Sequence, residues 1–175
     1  MTVIVISGPP GAGSSTVARG VAEELGIEYF SPGKHFKEKI DGNETESANL
    51  GWKDDELSSK STHQSIDDLQ KKVARQNDVV IDGKLSIHMV GDIADLNVWL
   101  TAPLSVRAQR SAERDDMDVE RAKEMMQERQ RDEIEQWREM YGLNYMEQRK
   151  SADLVIETED RSPEDIIETV ISKVS

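Results

Sequence analysis

The 175-residue chain has a formal net charge of −13, from 35 acidic and 22 basic residues, and it contains no cysteine. Its length fits one domain with a real core, the missing cysteines exclude disulfides and thiolate metal sites, and the acidity argues against a general nucleic-acid binder. No apolar run approaches the roughly 20 residues of a membrane helix. We therefore expect a cytoplasmic protein that binds neither nucleic acid nor membrane, and we expect a monomer.

The first predicted elements are a strand, a glycine-rich loop and a helix. An apolar run, Val3–Ile6, is followed downstream by the helical spacing of Val17, Val21 and Leu25. The loop between them reads Gly8, Pro9, Pro10, Gly11, Ala12, Gly13, Ser14, Ser15, Thr16. This layout is typical of the phosphate-binding pattern G-x-x-x-x-G-K-[ST], in which curled backbone N–H groups and a helix N-terminus bind polyphosphate. The sequence thus predicts a P-loop.

Two positions of this loop bear directly on catalysis. Ser15 stands where the Mg²⁺-binding Ser or Thr of a P-loop belongs. Ser14 takes the place of the usual lysine, and a hydroxyl cannot supply its positive charge. A cation from elsewhere in the chain must then neutralise a transferring phosphoryl group.

Strand and helix signals alternate along the rest of the chain. Further strands are predicted at 27–30, 79–81, 96–100 and 154–156, and helices at 34–40, 62–76 and after the cap Ser162-Pro163. The polar segment 41–61 shows no helix or strand pattern and is interpreted as a loop excursion outside the core. Apolar strands separated by helices predict a five-stranded parallel sheet flanked by helices on both sides, an α/β three-layer sandwich.

Asp82 ends one of these buried strands and is followed by Gly83 and Lys84. A carboxylate at the carboxyl end of a parallel strand faces the ligand crevice, where it either holds Mg²⁺ or orients a substrate. The structural alternative is a turn-forming Asp-Gly pair. Given the P-loop, we favour the site role, with Lys84 as a phosphate partner.

Three arginines, Arg107, Arg110 and Arg114, are spaced to share one helix face just after a strand end. They either contact the nucleotide or form a solvated face paired with Glu113 and Asp115. The three histidines, His35, His63 and His88, have no metal-ligand spacing and are interpreted as surface or core residues.

The stretch Met117–Tyr141 reads as two helical pieces around a segment without apolar residues, Gln127–Glu133. A helical hairpin with a solvent-facing tip would have this pattern. The tip is either a plain exposed face or a mobile lid that carries Arg129 and Arg131 over a phosphate site.

Together these residues resemble the archaeal-type cytidylate kinases, which are P-loop nucleoside monophosphate kinases. The likeness spans nearly the whole chain and rests on these segments: Gly8–Gly13, Phe36-Lys37, Val79–Leu85, Val98–Arg107, Tyr141-Gly142 and Ala152–Thr158. It implies a Rossmann-like P-loop NTPase fold with a small helical lid. It also implies Mg²⁺-dependent transfer of the γ-phosphoryl group of ATP to CMP or dCMP, giving ADP and CDP or dCDP.

Carried onto this chain, the resemblance implies one kinase domain over 1–175, with a lid near 117–141 and an acceptor-binding region at 32–76. The implied roles are catalysis by Ser14, Asp82, Arg129 and Arg131; ATP binding by the loop residues 8–16 with Arg107 and Arg110; acceptor binding by Lys37, Asp67 and Lys84; and Mg²⁺ binding by Ser15 and Asp82.

The chain departs from the family mainly on the acceptor side. The family usually has arginine at Lys37 and Lys84, an Asp-Arg-Arg-Gln run where this chain reads Asp67–Gln70, and lid arginines near Ile134 and Gln136. Lysine keeps the charge but loses the bidentate fork that arginine offers to phosphate. Two other interpretations therefore stay open: a P-loop kinase for another small acceptor, and a nucleotide-binding regulator with little catalysis.

Overall fold

A computed structural model describes residues 1–35 and 60–175. Lys37 and most of the segment 41–61 lie outside these residues, as does most of the helix predicted at 34–40. The strands in the described part are β1 (Val3–Ser7), β2 (Glu28–Phe30), β3 (Val79–Asp82), β4 (Leu96–Thr101) and β5 (Leu154–Glu157). All neighbouring strands pair in parallel, in the order β2-β3-β1-β4-β5. The predicted parallel sheet is confirmed.

The helices that cover this sheet are α1 (Ser14–Leu25), α2 (Lys60–Gln76), α3 (Ser86–Val90), α4 (Leu104–Asp115), α5 (Val119–Tyr141) and α6 (Pro163–Val174), with a 3₁₀ helix at Tyr145–Ser151. Local chemistry sets several of their ends. The helix α1 stops at Gly26, whose φ of 65° is left-handed. The helix α6 starts where the Ser162 hydroxyl accepts a hydrogen bond from the Asp165 N–H at 3.2 Å.

The sheet is buried on both faces, which makes three layers. Every residue of β1 is buried, and its side chains alternate between two cores. Ile4 and Ile6 pack in the core that includes residues of α1 and α6. Val3 and Val5 pack in the other core, with residues of α2, α3, α5 and the 3₁₀ helix. The carboxyl ends of β1 and β3 are thereby held side by side, with Ile6 opposite Asp82.

The prediction of two helical pieces within Met117–Tyr141 is wrong. The helix α5 runs unbroken for 23 residues, because it contains no glycine or proline and its central segment is made of good helix formers. The chain reverses earlier, at Asp116, which has a left-handed φ of 50°. The helical hairpin is therefore formed by α4 and α5, which pack against each other.

Candidate active site

The predicted P-loop leaves the carboxyl end of β1 and leads into α1. Gly11 and Gly13 have φ angles of 80° and 98°, which side chains rarely tolerate. At Gly11 an added Cβ would also meet the backbone O of Arg107 at 2.8 Å. Glycine is thus needed here for its backbone conformation and for the close approach of α4.

Arg107 and Arg110 hold this loop from the side of α4. The buried Arg107 donates from Nε to the Ala102 carbonyl at 3.0 Å and from Nη1 to the Pro10 carbonyl at 3.3 Å. Arg110 donates from Nη1 to the Gly11 carbonyl at 3.1 Å and to Thr158 Oγ1 at 3.0 Å. The Pro10 and Gly11 carbonyls of the loop are thus held by arginine donors from α4.

The third arginine of the predicted face does not reach the loop. Arg114 is exposed and pairs with Asp115 at 3.0 Å, as the alternative of a solvated face predicted. Arg107 and Arg110 therefore contact the P-loop itself, and their contact with the nucleotide stays a prediction.

Ser15 and Asp82 meet beside the loop. The Ser15 hydroxyl donates to Asp82 Oδ2 at 2.7 Å, and the Tyr29 hydroxyl donates to the same oxygen at 3.0 Å. Burial, with the negative charge of Asp82 beside it, raises the pKa of the Tyr29 hydroxyl. Sequence reasoning missed Tyr29, although it lies in a predicted strand close to the carboxyl end of that strand, where ligand-facing residues are expected.

A hydroxyl and a carboxylate are ligands that suit Mg²⁺, which keeps several waters and phosphate oxygens in its shell. Among residues 1–35 and 60–175, no three His, Cys, Asp or Glu side chains gather into a metal cluster. The Ser15–Asp82 pair instead fits an Mg²⁺ ion whose other ligands are waters and phosphate oxygens.

A second polar cluster centres on Glu133, whose side chain is 0% exposed. Lys84 Nζ donates to its two carboxylate oxygens at 2.6 and 2.8 Å, and Arg129 Nε donates to Oε1 at 2.7 Å. Two cations from different elements thus share one carboxylate. Sequence reasoning missed Glu133 because the surrounding segment lacks apolar residues and reads as exposed, although the spacing of four residues from Arg129 indicated a helical ion pair.

The other predicted catalytic arginine, Arg131, is exposed and is not brought into this cluster. Ser14 is half-buried at the first position of α1. The structure therefore brings Ser15 into contact with Asp82, and it brings Lys84 and Arg129 to the same carboxylate. Arg131 is not part of that cluster.

Asp67, a predicted acceptor residue, is buried and already bonded. It accepts hydrogen bonds from the Tyr141 hydroxyl and from Gln70 Nε2, the latter at 3.3 Å, and Gln70 in turn accepts from the Ser86 hydroxyl at 2.7 Å. Burial raises the pKa of the Asp67 carboxyl, and the hydrogen bond from Tyr141 opposes that rise. Asp67 thus connects α2 to α3 and to the end of α5.

Within residues 1–35 and 60–175, none of the helices has the length and apolar character needed to cross a membrane.

Comparison with known proteins agrees with this geometry. The model of the cytidylate kinase-like family matches residues 3–160. The chain is 37% identical to the cytidylate kinase of Natronomonas pharaonis over 99% of this chain and 89% of that protein. It is 38% identical to the cytidylate kinase of Ignicoccus hospitalis, with 97% of each chain covered.

The fold also matches a solved kinase. The structure of shikimate kinase from Acinetobacter baumannii in complex with shikimate superposes with a TM-score of 0.65, at 19% identity, over 99% of this chain and 93% of that one. At that identity the match concerns the fold alone, which is the P-loop NTPase fold. The full-length family match and the identity to two archaeal kinases show that the chain is a phosphotransferase and belongs to the cytidylate kinase-like family.

Proposed function

We propose that the protein is a nucleoside monophosphate kinase that moves the γ-phosphoryl group of Mg-ATP to CMP or dCMP, giving ADP and CDP or dCDP. The observation that carries the proposal is the pairing of two polar clusters at the end of β3. Asp82 joins the Ser15 cluster, and Lys84, two residues later, joins the Glu133–Arg129 cluster. Two polar clusters that follow each other so closely along the chain support a phosphate-donor site beside an acceptor site, which is what phosphoryl transfer between two nucleotides requires.

On the donor side, backbone N–H groups from Gly11 to Thr16 bind the ATP phosphates, and the positive end of α1 adds to their pull. Ser15 and Asp82 would hold Mg²⁺, which would supply positive charge to the phosphates of ATP. Tyr29 keeps the Asp82 carboxylate oriented toward Ser15. Arg107 and Arg110 fix the loop through its carbonyls. With no lysine at Ser14, the metal and the cations of the second cluster carry the charge stabilisation.

On the acceptor side, Lys84 and Arg129 bind the phosphate of the monophosphate, with Arg131 and Lys37 adding charge and Asp67 bounding the site. Arg129 has five donors, of which Glu133 accepts one, and the ammonium of Lys84 adds a second positive charge at the same place. The reaction needs no covalent intermediate, because positioning and charge stabilisation suffice. The segment 117–141 forms the lid over a single kinase domain and keeps water from becoming the acceptor.

The test is ADP formation from Mg-ATP with CMP, dCMP, UMP, AMP and GMP supplied one at a time. We expect turnover with CMP and dCMP well above that with the purines. Turnover with another acceptor alone would replace the proposed substrate. A folded protein that binds ATP but turns over none of the five would favour the nucleotide-binding regulator.

A further inference from the structure

A cavity of about 620 Å³ lies away from both clusters of the candidate active site. Its polar lining includes Lys71, Arg75, His88, Asp92, Asn97 and Gln148, with Ser151 also among the lining residues. Asn97 is the second residue of β4 and pairs with Val5 of β1. The P-loop, in contrast, follows the carboxyl end of β1, which runs parallel to β4. The part of the cavity that Asn97 lines therefore lies near the amino end of β4, whereas the P-loop lies at the carboxyl ends of the strands, and the lining shares no residue with the loop or with either cluster.

The charges at this cavity are unusual for so acidic a chain. Lys71 and Arg75 are four residues apart on α2 and line one wall together, with His88 of α3 beside them. Asp92 is the one carboxylate among the described residues that line it. In the described part of the chain, no carboxylate lies within ion-pair distance of Lys71 or Arg75. Lys71 and Arg75 thus line the cavity without an ion-paired acid among the described residues, although the charge of Lys71 also acts on Asp67 one turn away, in a chain whose net charge is −13.

The rest of the lining has the character of a small-molecule site. Ile87 and Met89 of α3 are buried, and with Ile93 they give the cavity an apolar side. The Asn97 side-chain amide donates to the Gly91 carbonyl at 3.0 Å and so fixes the turn after α3. A volume of this size matches the 300–1,000 Å³ typical of ligand pockets, and an Arg-Lys pair is the usual partner of a phosphate group.

We propose that this cavity is a second binding site, for a phosphorylated small molecule of nucleotide size, separate from the substrate sites. The phosphate lies against Lys71 and Arg75, and the remainder of the molecule lies against the apolar side formed with α3. The binding site itself goes beyond the proposed function, and only the effect on catalysis described next rests on that function.

The cavity wall is connected to the acceptor side by Gln148. Its Oε1 accepts from the His88 N–H at 2.9 Å, while its Nε2 donates to the carbonyls of Lys84 and Tyr145. One turn along α2 from Lys71 stands Asp67. A ligand in the cavity therefore touches the two elements that position the acceptor residues, so its effect on catalysis falls on the KM for the acceptor.

The test is a titration of the 19.7 kDa chain followed by backbone amide NMR shifts, which separates the cavity from the P-loop residue by residue. Inorganic pyrophosphate and CTP serve as the two probes. We expect saturable shifts at amides 71–75 and 91–97 with at least one probe, in addition to any at 8–16. If pyrophosphate shifts these amides, the cavity recognises phosphate. If CTP binds there more tightly than pyrophosphate, the cavity also recognises the nucleoside.

The decisive variant is the double substitution Lys71→Gln with Arg75→Gln, which should weaken binding at the cavity at least about tenfold and leave the P-loop shifts in place. The matched control is Lys72→Gln with Lys173→Gln, which removes the same charge from exposed positions. Should the first variant fail to fold, Ser151→Trp fills the rim without changing charge and should block the same shifts. Absence of saturable shifts at 71–75 and 91–97 with both probes, or equal binding by the two double variants, overturns the proposal.

Discussion

The Glu133→Gln substitution tests the cluster that connects α5 to the end of β3. The wild-type carboxylate is 0% exposed and receives three donor contacts of 2.6 to 2.8 Å from Lys84 and Arg129. Removing one partner from a fully buried ion pair costs about 3–5 kcal/mol, because the other charge is left uncompensated. Here the side chains of Lys84 and Arg129 are 25% and 36% exposed, so water screens part of that loss.

We therefore expect the variant to lose about 2 kcal/mol of unfolding free energy. For a chain of this size that corresponds to a drop of roughly 4–8 °C in the midpoint of thermal unfolding. The exposed Glu135→Gln on the same helix is the matched control and should change stability by less than about 0.5 kcal/mol.

The same variant reports on the acceptor site. Without the carboxylate, the acceptor phosphate becomes the anion that pairs with Lys84 and Arg129, so saturating CMP should raise the unfolding midpoint of Glu133→Gln more than that of the wild type. The assay is thermal or urea unfolding with and without CMP. A stability loss that CMP does not restore would refute the idea that these two cations bind the acceptor phosphate, and no loss at all would refute the energetic role of the buried carboxylate.

Three further substitutions test individual residues of the candidate site. Ser14→Lys should keep or raise kcat/KM for ATP if the loop has the usual P-loop geometry, and a collapse of ATP binding would show that the loop requires the hydroxyl. Tyr29→Phe removes the 3.0 Å bond to Asp82 Oδ2 and should raise the Mg²⁺ concentration needed for half-maximal turnover, while circular dichroism stays unchanged; an unaltered Mg²⁺ requirement would exclude a positioning role. For Asp67, burial raises the carboxyl pKa in the folded state, so its stabilising contribution is present at low pH and is lost as pH rises from the unfolded value through the folded one. The stability of Asp67→Asn relative to the wild type should therefore increase across that rise in pH, as measured by urea unfolding. A difference in unfolding free energy that does not change with pH would contradict the raised pKa of Asp67.

Several strands, the P-loop and the start of α6 could be predicted from the sequence, because each depends on residues close together in the chain. Apolar runs predict buried strands, because burial on both faces leaves no alternation. Gly11 and Gly13 predict the loop, since few other residues adopt their backbone angles, and Ser162 predicts the start of α6 through its own side-chain cap. The single helix α5 was also within reach of local rules, because nothing in its middle breaks a helix. The prediction failed there because polarity was interpreted as a solvent-facing tip.

Tertiary structure alone decided which side chains meet in the candidate site. Lys84 and Glu133 are 49 residues apart in the chain, and Arg110 and Gly11 are 99 apart. Tyr29 reaches Asp82 only because β2 pairs with β3. Such contacts depend on the strand order and on where each helix packs, and neither is encoded within a window of neighbouring residues. The burial of Glu133 has a partly similar origin, because its ion pair with Arg129 is local to α5, whereas Lys84 reaches it from the end of β3.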